Sequence, residues 1–149
     1  MIAVVALSQA AFAQTKTAPV KTQVKPQVAV YKSPTCGCCS KWVEHMNASG
    51  FAATATDMAD VTPIKTKHGV PARLSSCHTS LVGGYVIEGH VPAEDIRRLL
   101  KEKPAIVGLA APGMPNGSPG MDIPGSPSYD VLTFDKAGNT KVFATHKPK

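Results

Sequence analysis

Three cysteines stand within the segment Cys36-Gly37-Cys38-Cys39, and they are the residues of this chain best suited to chemistry. The outer two have the Cys-x-x-Cys spacing and lie between a predicted buried strand and a predicted helix N-terminus. The unpaired N–H groups and the dipole of a helix N-terminus favour thiolate over thiol, and a thiolate can attack a disulfide or bind a soft metal ion. We expect Cys36 to be exposed and Cys39 to point inward, so Cys36 is the better nucleophile.

The third thiol, Cys38, distinguishes the segment from a simple redox motif. A dithiol enzyme needs one attacking and one resolving sulfur, whereas a third allows mispairing, and a Cys38–Cys39 disulfide would require a strained ring. Clustered thiolates suit Cu(I), with Zn(II) as the ordinary competitor. A structural zinc site usually has a second Cys-x-x-Cys or His-x-His pair, but only Cys77-His78 follows here. Structural disulfides are the alternative that these residues leave open.

Hydrophobic patterning predicts elements in the order β-α-β-α-β-β-α to position these cysteines. The predicted elements are a strand at 28–31, a helix at 39–48 ended by Gly50, a strand at 51–56, a short helix from about 62 to 68, strands at 72–82 and 85–87 joined by Gly83-Gly84, and a helix from 92 to 103. This order predicts an α/β, thioredoxin-like domain in which helices flank a small mixed sheet.

The C-terminal part of the chain differs in composition. Residues 108–128 are rich in proline and glycine, which excludes a regular helix or a central strand, so we expect an irregular loop. Residues 129–134 and 140–145 then predict a terminal β-hairpin laid against the domain. Within the loop, Met114 and Met121 carry thioethers that could bind Cu(I), although methionine also packs irregular loops onto cores.

Cys77 is the candidate fourth ligand. It lies on the predicted strand at 72–82, after Val70-Pro71, and in thioredoxin-like folds a proline-bearing loop at this point packs against the Cys-x-x-Cys turn. We therefore expect Cys77 to approach the other sulfurs as a ligand or a disulfide partner. Because side chains alternate along a strand, Cys77 and His78 should not both face the same centre unless the backbone bulges, which favours a hydrogen-bonded structural role for His78.

The other histidines have less distinctive positions. His90 precedes the helix that starts at Pro92, where capping and metal binding are both open. His45 falls on the polar side of the first helix, and we expect it to be solvated. We expect His68 to be a cation at a helix C-terminus and His146 to lie near a fraying chain end.

The length of the chain predicts a single domain, because 149 residues can form one hydrophobic core but are too few for two ordinary domains. The net charge is +6. Three of its lysines lie in the polar stretch 14–26, which has the composition of a flexible linker: Lys16, Lys21 and Lys25. Because no stripe of arginines and aromatic residues accompanies them, we do not expect nucleic-acid binding. The folded domain is predicted to span 27–149.

The first residues indicate export. Residues 1–13 are apolar and end in Ala11-Phe12-Ala13, the small-x-small pattern of a signal-peptidase site, although a basic start is missing. About 13 apolar residues are too few for a membrane span, which needs roughly 20. We therefore expect a signal peptide at 1–13 and a periplasmic protein. Free thiols in that oxidising compartment would form disulfides unless a metal ion or a reductant prevented it.

Several ordered segments, together covering about residues 28–146, closely resemble a bacterial family of small exported metal-binding proteins, the CopG-like copper-resistance proteins. The matching segments are Cys36-Gly37-Cys38-Cys39, Gly69-Val70-Pro71, Ser76-Cys77-His78-Thr79, the run 84–93 and the runs 108–110, 112–115 and 117–121. The resemblance implies a thioredoxin-like fold, a periplasmic setting and Cu(I) bound by clustered cysteines, with several ions and bridging sulfurs. The copper ligands that it implies are Cys36, Cys38, Cys39 and Cys77.

These observations favour a periplasmic protein that captures Cu(I) for copper resistance and buffers it or passes it to an efflux or oxidase partner. A thiol-disulfide oxidoreductase, in which Cys36 attacks and Cys39 resolves, is the alternative. Redox cycling of copper at the same sulfurs would combine the two. A third hypothesis is an interaction module held together by disulfides.

Overall fold

The computed structural model describes residues 24–147, so the predicted signal peptide and the linker up to residue 23 lie outside the described residues. The described part contains these strands and α-helices: β1 (Gln27–Lys32), α1 (Gly37–Ala48), β2 (Ala52–Asp57), α2 (Thr62–Lys67), β3 (Thr79–Val82), β4 (Tyr85–Glu88), α3 (Ala93–Glu102), β5 (Gly108–Ala110), β6 (Tyr129–Phe134) and β7 (Thr140–His146). A single 3-10 turn, Ala72–Leu74, precedes β3 in this region.

All the described strands join one mixed sheet. Its order is β2-β1-β3-β4-β5-β6-β7. Strands β1 and β2, and likewise β4 and β5, are parallel, whereas the other neighbours are antiparallel. The predicted α/β class with a mixed sheet and helices is therefore confirmed. None of the helices in residues 24–147 is long and apolar enough to cross a membrane.

Helices α1 and α3 each bury one face against this sheet. Helix α1 buries Cys39, Trp42 and Met46, which recur at helical spacing. Helix α3 buries Ile96 and Leu99 and carries acidic residues in its first turn and a lysine in its last, which complements the helix dipole. The face that buries Trp42 thus also fixes which way Cys39 points.

The prediction that 108–128 contains no central strand is wrong. Residues Gly108–Ala110 form β5 between β4 and β6. A Cβ at Gly108 would lie 1.8 Å from the carbonyl oxygen of Val86, so glycine permits the strand here by allowing close backbone approach. Because β6 pairs with β5, the predicted terminal hairpin exists but extends the sheet instead of packing against the domain from outside.

The predicted strand at 72–82 is wrong in its first part. Residues 72–74 form the 3-10 turn, and regular strand begins only at Thr79. Cys77 and His78 therefore lie on an irregular segment before β3. The alternation of side chains along a strand therefore does not apply to these two residues.

Candidate metal centre

The beginning of α1 positions the three clustered cysteines. Cys36 is the N-cap residue and is half-buried, and Cys39 is fully buried in the first turn. A disulfide joins Cys36 to Cys39. Cys38 is a half-buried free thiol whose sulfur lies 3.5 Å from that of Cys36. The prediction that Cys39 points inward is confirmed, while Cys36 is less exposed than expected.

Cys77 brings a fourth sulfur to this turn from a distant part of the chain. The ligand atoms of four cysteines all lie within 4.8 Å of one another: Cys36, Cys38, Cys39 and Cys77. Cys77 thus approaches the other three sulfurs as predicted, and it does so as a free thiol and not as a disulfide partner. Thiolate sulfur is the donor that soft ions prefer, so this set fits Cu(I) once the Cys36–Cys39 disulfide is reduced.

Buried charges hold the segment that carries Cys77. The backbone N–H of Ser76 donates to Glu88 Oε1 over 2.6 Å, and the Thr79 hydroxyl donates to Glu88 Oε2 over 2.6 Å. Glu88 is fully buried, and its charge is paired with Lys65 on α2. Breaking this buried pair would leave an uncompensated charge, so the Glu88 carboxylate keeps its position. Because the carboxylate accepts the N–H of Ser76, it also fixes Ser76 and the adjacent cysteine.

Two histidines complete a second group of candidate ligands. The ligand atoms of Cys39, Cys77, His78 and His90 also lie within 4.8 Å of one another. On a regular strand Cys77 and His78 should not face the same centre, but both precede β3 on an irregular segment, and the structure brings them together. The free sulfur of Cys77 is 3.4 Å from Nδ1 of His78 and 3.0 Å from Nε2 of His90.

The surroundings of His90 determine its tautomer. Its Nδ1 lies 2.7 Å from the carbonyl oxygen of Pro119. Because a carbonyl only accepts, Nδ1 carries the proton, and the lone pair of Nε2 faces the sulfur of Cys77. The alternative capping role is wrong, because Pro92 is the N-cap of α3 and the histidine that accepts the backbone N–H of Ala93 at this helix start is His45. Burial lowers the pKa of His90, so its imidazole stays neutral at pH 7.

His78 lies in the protein interior, next to Trp42. It is fully buried, its ring centroid is 4.6 Å from that of Trp42, and its Nε2 has no hydrogen-bond partner among the described residues. Burial above all, and then unfavourable electrostatic interactions with His90, Lys65 and Lys32, hold the pKa of His78 well below its usual value. A neutral imidazole is a competent metal ligand, and Nδ1 is the nitrogen of His78 that lies next to the sulfur of Cys77.

The Gly/Pro-rich loop covers the cysteine-bearing turn. A Cβ at Gly120 would lie 2.7 Å from the carbonyl oxygen of Cys38, so only glycine lets the loop come so close. Met114 is exposed and Met121 is half-buried. Their role as thioether ligands stays a prediction.

The remaining histidines lie outside both ligand groups. His68 is at the C-cap of α2, as predicted. His45 is half-buried and accepts the backbone N–H of Ala93 over 3.2 Å, so the expectation of a solvated side chain is wrong. His146 lies in β7 and not at a fraying end, with Nε2 2.7 Å from a carboxylate oxygen of Asp95.

The reactivity of Cys77 should depend steeply on pH. Burial raises the pKa of this thiol to about 11, the neighbouring Cys38 adds to the rise, and a hydrogen bond from Ser76 opposes it. In an oxidised Cys38→Ser variant, Cys77 is the remaining free thiol. We expect its alkylation rate to increase about tenfold per pH unit from pH 7 to 10, because only the thiolate reacts. Stopped-time labelling and mass spectrometry measure this rate.

The matched control is oxidised Cys77→Ser, in which Cys38 is the reacting thiol of the same disulfide-bonded protein. It separates the effect of the Cys77 environment from the behaviour of the reagent. A rate for Cys77 that levels off between pH 8 and 9 would contradict the burial of its thiolate.

Comparison with known proteins gives a consistent result. The sequence family described as "Protein of unknown function, DUF411" matches residues 74–121. Two solved structures are similar over most of the chain, "Copper resistance protein copG- Form 2" at 40% identity and "Copper resistance protein copG- Form 1" at 39%. Each match covers 83% of this chain and 99% of the other, with a TM-score of 0.78. No curated protein matches the chain.

Proposed function

Because this chain belongs to the family of CopG copper resistance proteins, we propose that it captures Cu(I) through its clustered cysteine thiolates and so serves copper resistance. The ligands in this proposal are Cys36, Cys38, Cys39 and Cys77. Copper is the cargo, held for buffering or for transfer to an efflux or oxidase partner, and the periplasm is the proposed location.

The observation that carries the proposal is the convergence of four sulfur atoms within 4.8 Å. They come from two segments far apart in sequence, which the fold brings together through α1 and the turn before β3. Four thiolates in so small a volume would repel one another, and a soft cation relieves that repulsion. Sulfurs this close can also bridge ions, so we propose more than one Cu(I) per chain. Zn(II) is the competing ion.

Protons and electrons accompany this capture. Before those sulfurs can bind, an external dithiol must reduce the Cys36–Cys39 disulfide: it supplies two electrons and two protons and is itself oxidised to a disulfide. Once reduced, Cys36 at the N-terminus of α1 is favoured as a thiolate, whereas Cys77 must lose a proton from a buried thiol. Binding therefore releases protons, and the affinity for copper should fall as the pH falls.

The decisive experiment is an anaerobic Cu(I) titration of fully reduced protein, with free thiols counted beforehand. We expect more than one Cu(I) per chain, and we expect Cys38→Ser to lose most of that capacity because the shared sulfur network is broken. Ser40→Ala, one turn beyond Cys36 in α1 and without sulfur, is the matched control and should bind as the wild type does. A capacity of one ion or fewer, or a Cys38→Ser variant with full capacity, would count against the proposal.

Thiol-disulfide exchange with a protein substrate is the second candidate function. The disulfide between a half-buried Cys36 and a buried Cys39 favours it, because this is the arrangement of an attacking and a resolving sulfur. An insulin-reduction assay separates the two functions. Turnover that survives Cys38→Ser but is lost in Cys36→Ser would favour the enzyme.

A further inference from the structure

The two ligand groups of this chain overlap in two sulfur atoms. Cys39 and Cys77 belong both to the all-sulfur group and to the group that includes His78 and His90. The Cys36–Cys39 disulfide removes Cys39 from both groups at once. A disulfide that joined Cys36 to Cys38 instead would leave every member of the sulfur-and-nitrogen group free.

The structure places the atoms for that change in contact. The sulfur of Cys38 lies 3.5 Å from the sulfur of Cys36 and is a free thiol. In the exchange, Cys38 loses its proton to solvent and its thiolate attacks the sulfur of Cys36. The Cys36–Cys38 bond forms, the Cys36–Cys39 bond breaks, and Cys39 leaves as a thiolate. No external oxidant or reductant is needed, because the disulfide moves within the chain.

The backbone around Gly37 can accommodate the new bond. Residues two apart at the start of a helix have Cα atoms about 5–6 Å apart, within the roughly 4.4–6.8 Å that disulfides span. A Cβ at Gly37 would meet nothing within 4 Å, so the local chain has room to adjust. The turn between the two sulfurs is thus both short and uncrowded.

We propose that this exchange opens a mixed metal site formed by Cys39, Cys77, His78 and His90, which takes a divalent ion that prefers sulfur and nitrogen, such as Zn(II). Two thiolates and two imidazoles are a common tetrahedral Zn(II) set. Oxidised protein would then keep a metal site after the all-sulfur centre is lost. The site shares sulfurs with the proposed Cu(I) centre but forms in the opposite redox state.

Two independent features of the histidines point to a ligand at this place. The Nε2 lone pair of His90 faces Cys77, because Pro119 fixes the proton on the other nitrogen. His78 is fully buried, and its Nδ1 lies 3.4 Å from the sulfur of Cys77, so this nitrogen is placed beside the same thiol as Nε2 of His90. An ion reaching the site would enter past Cys77, its half-buried member.

The test titrates oxidised protein, which carries the Cys36–Cys39 disulfide and two free thiols, with Zn(II) under anaerobic conditions. Calorimetry should show one Zn(II) per chain, and blocking of free thiols followed by peptide mapping should show the disulfide moved to Cys36–Cys38. Oxidised Cys38→Ser cannot make the exchange, so its Zn(II) affinity should be at least about 100-fold lower. Co(II) in place of Zn(II) reports the two thiolates by their charge-transfer absorption.

A double variant makes the exchange unnecessary. In Cys36→Ser with Cys38→Ser, the reduced protein retains only Cys39 and Cys77, and it should bind one Zn(II) directly. Adding His90→Gln to this background should weaken binding by at least about tenfold.

Three results would overturn the proposal. They are tight Zn(II) binding by oxidised Cys38→Ser, a Cys36–Cys39 disulfide that persists in the Zn(II)-loaded wild type, or a folded double variant that does not bind. Because these measurements use oxidised protein or variants without the all-sulfur group, they leave the Cu(I) titration of reduced wild type as a separate result.

Discussion

Replacing Cys77 with serine is expected to lower the Cu(I) affinity of the reduced protein by at least about 100-fold, since loss of even an outer-shell partner costs a metal site about 10- to 100-fold. Of the four sulfurs in this group, three lie at the start of α1, and Cys77 brings the fourth from a different segment of the chain. Its position is set in advance by the hydrogen bond from Ser76 to the buried Glu88. Competition with a chromophoric Cu(I) chelator measures the affinity.

The control for this variant keeps the sulfur and changes its neighbour. Ser76→Ala removes a hydroxyl that donates to Gly113 and to the sulfur of Cys77, but it keeps the thiol and the backbone N–H that donates to Glu88. We expect its Cu(I) affinity to stay within a few-fold of wild type. If Cys77→Ser also keeps its Cu(I) affinity within a few-fold of wild type, then Cys77 is not a ligand, and the centre must be built from the other cysteines.

Trp42→Ala should produce the largest loss of stability, about 3–5 kcal/mol in the free energy of unfolding. The indole is fully buried between α1 and the sheet, and its N–H donates to the carbonyl oxygen of Val91 over 2.9 Å. Truncation leaves a cavity beside the ring of His78 and a buried carbonyl without its donor. Urea denaturation of the disulfide-bonded protein, followed by circular dichroism, measures the change.

Two variants calibrate this loss. Trp42→Phe retains most of the ring volume and should lose less, because only the hydrogen bond and part of the packing disappear. Val142→Ala, at an apolar residue that is 60% exposed, should change the free energy of unfolding by no more than about 0.5 kcal/mol. A Trp42→Ala protein as stable as Val142→Ala would mean that the indole does not support the core.

The sequence was informative where the signal is local. A Cys-x-x-Cys between an apolar strand and a helix start places Cys36 and Cys39 by short-range geometry alone. The position of Cys77 after Val70-Pro71 in a thioredoxin-like order of elements predicted its approach, and the resemblance agreed. The proline and acidic residues that open α3 likewise predict its start. These features depend on neighbouring residues, so the pattern carries the information.

The histidine part of the site was less predictable because it depends on contacts between distant segments. His90 is positioned by Pro119, which follows it by 29 residues, and by Cys77, which precedes it by 13. Neither contact has a periodic signature. Gly89 was the available signal: it has a positive φ, and a Cβ there would lie 2.4 Å from the Ser76 hydroxyl, so a close approach beside His90 requires glycine.

Strand β5 was missed for a related reason. The strand begins with glycine and is three residues long, which is too short for a recognisable hydrophobic alternation. The prolines and glycines that follow it therefore dominated the prediction of an irregular loop. The feature that makes it a strand is the close approach of Gly108 to Val86 on β4, which exists only after the sheet has formed. The irregular segment at 75–78 has the same origin, since Glu88 on β4 binds the N–H of Ser76.

The buried pair between Lys65 and Glu88 has a consequence for the outermost helix. Helix α2 buries none of its residues, yet Lys65 reaches from it to the carboxylate that fixes the Cys77 segment. Helix α2 is thereby linked, through Lys65 and Glu88, to the segment that carries Cys77. A displacement of α2 would therefore shift the segment that carries Cys77, although no residue of α2 contacts a cysteine through this pair.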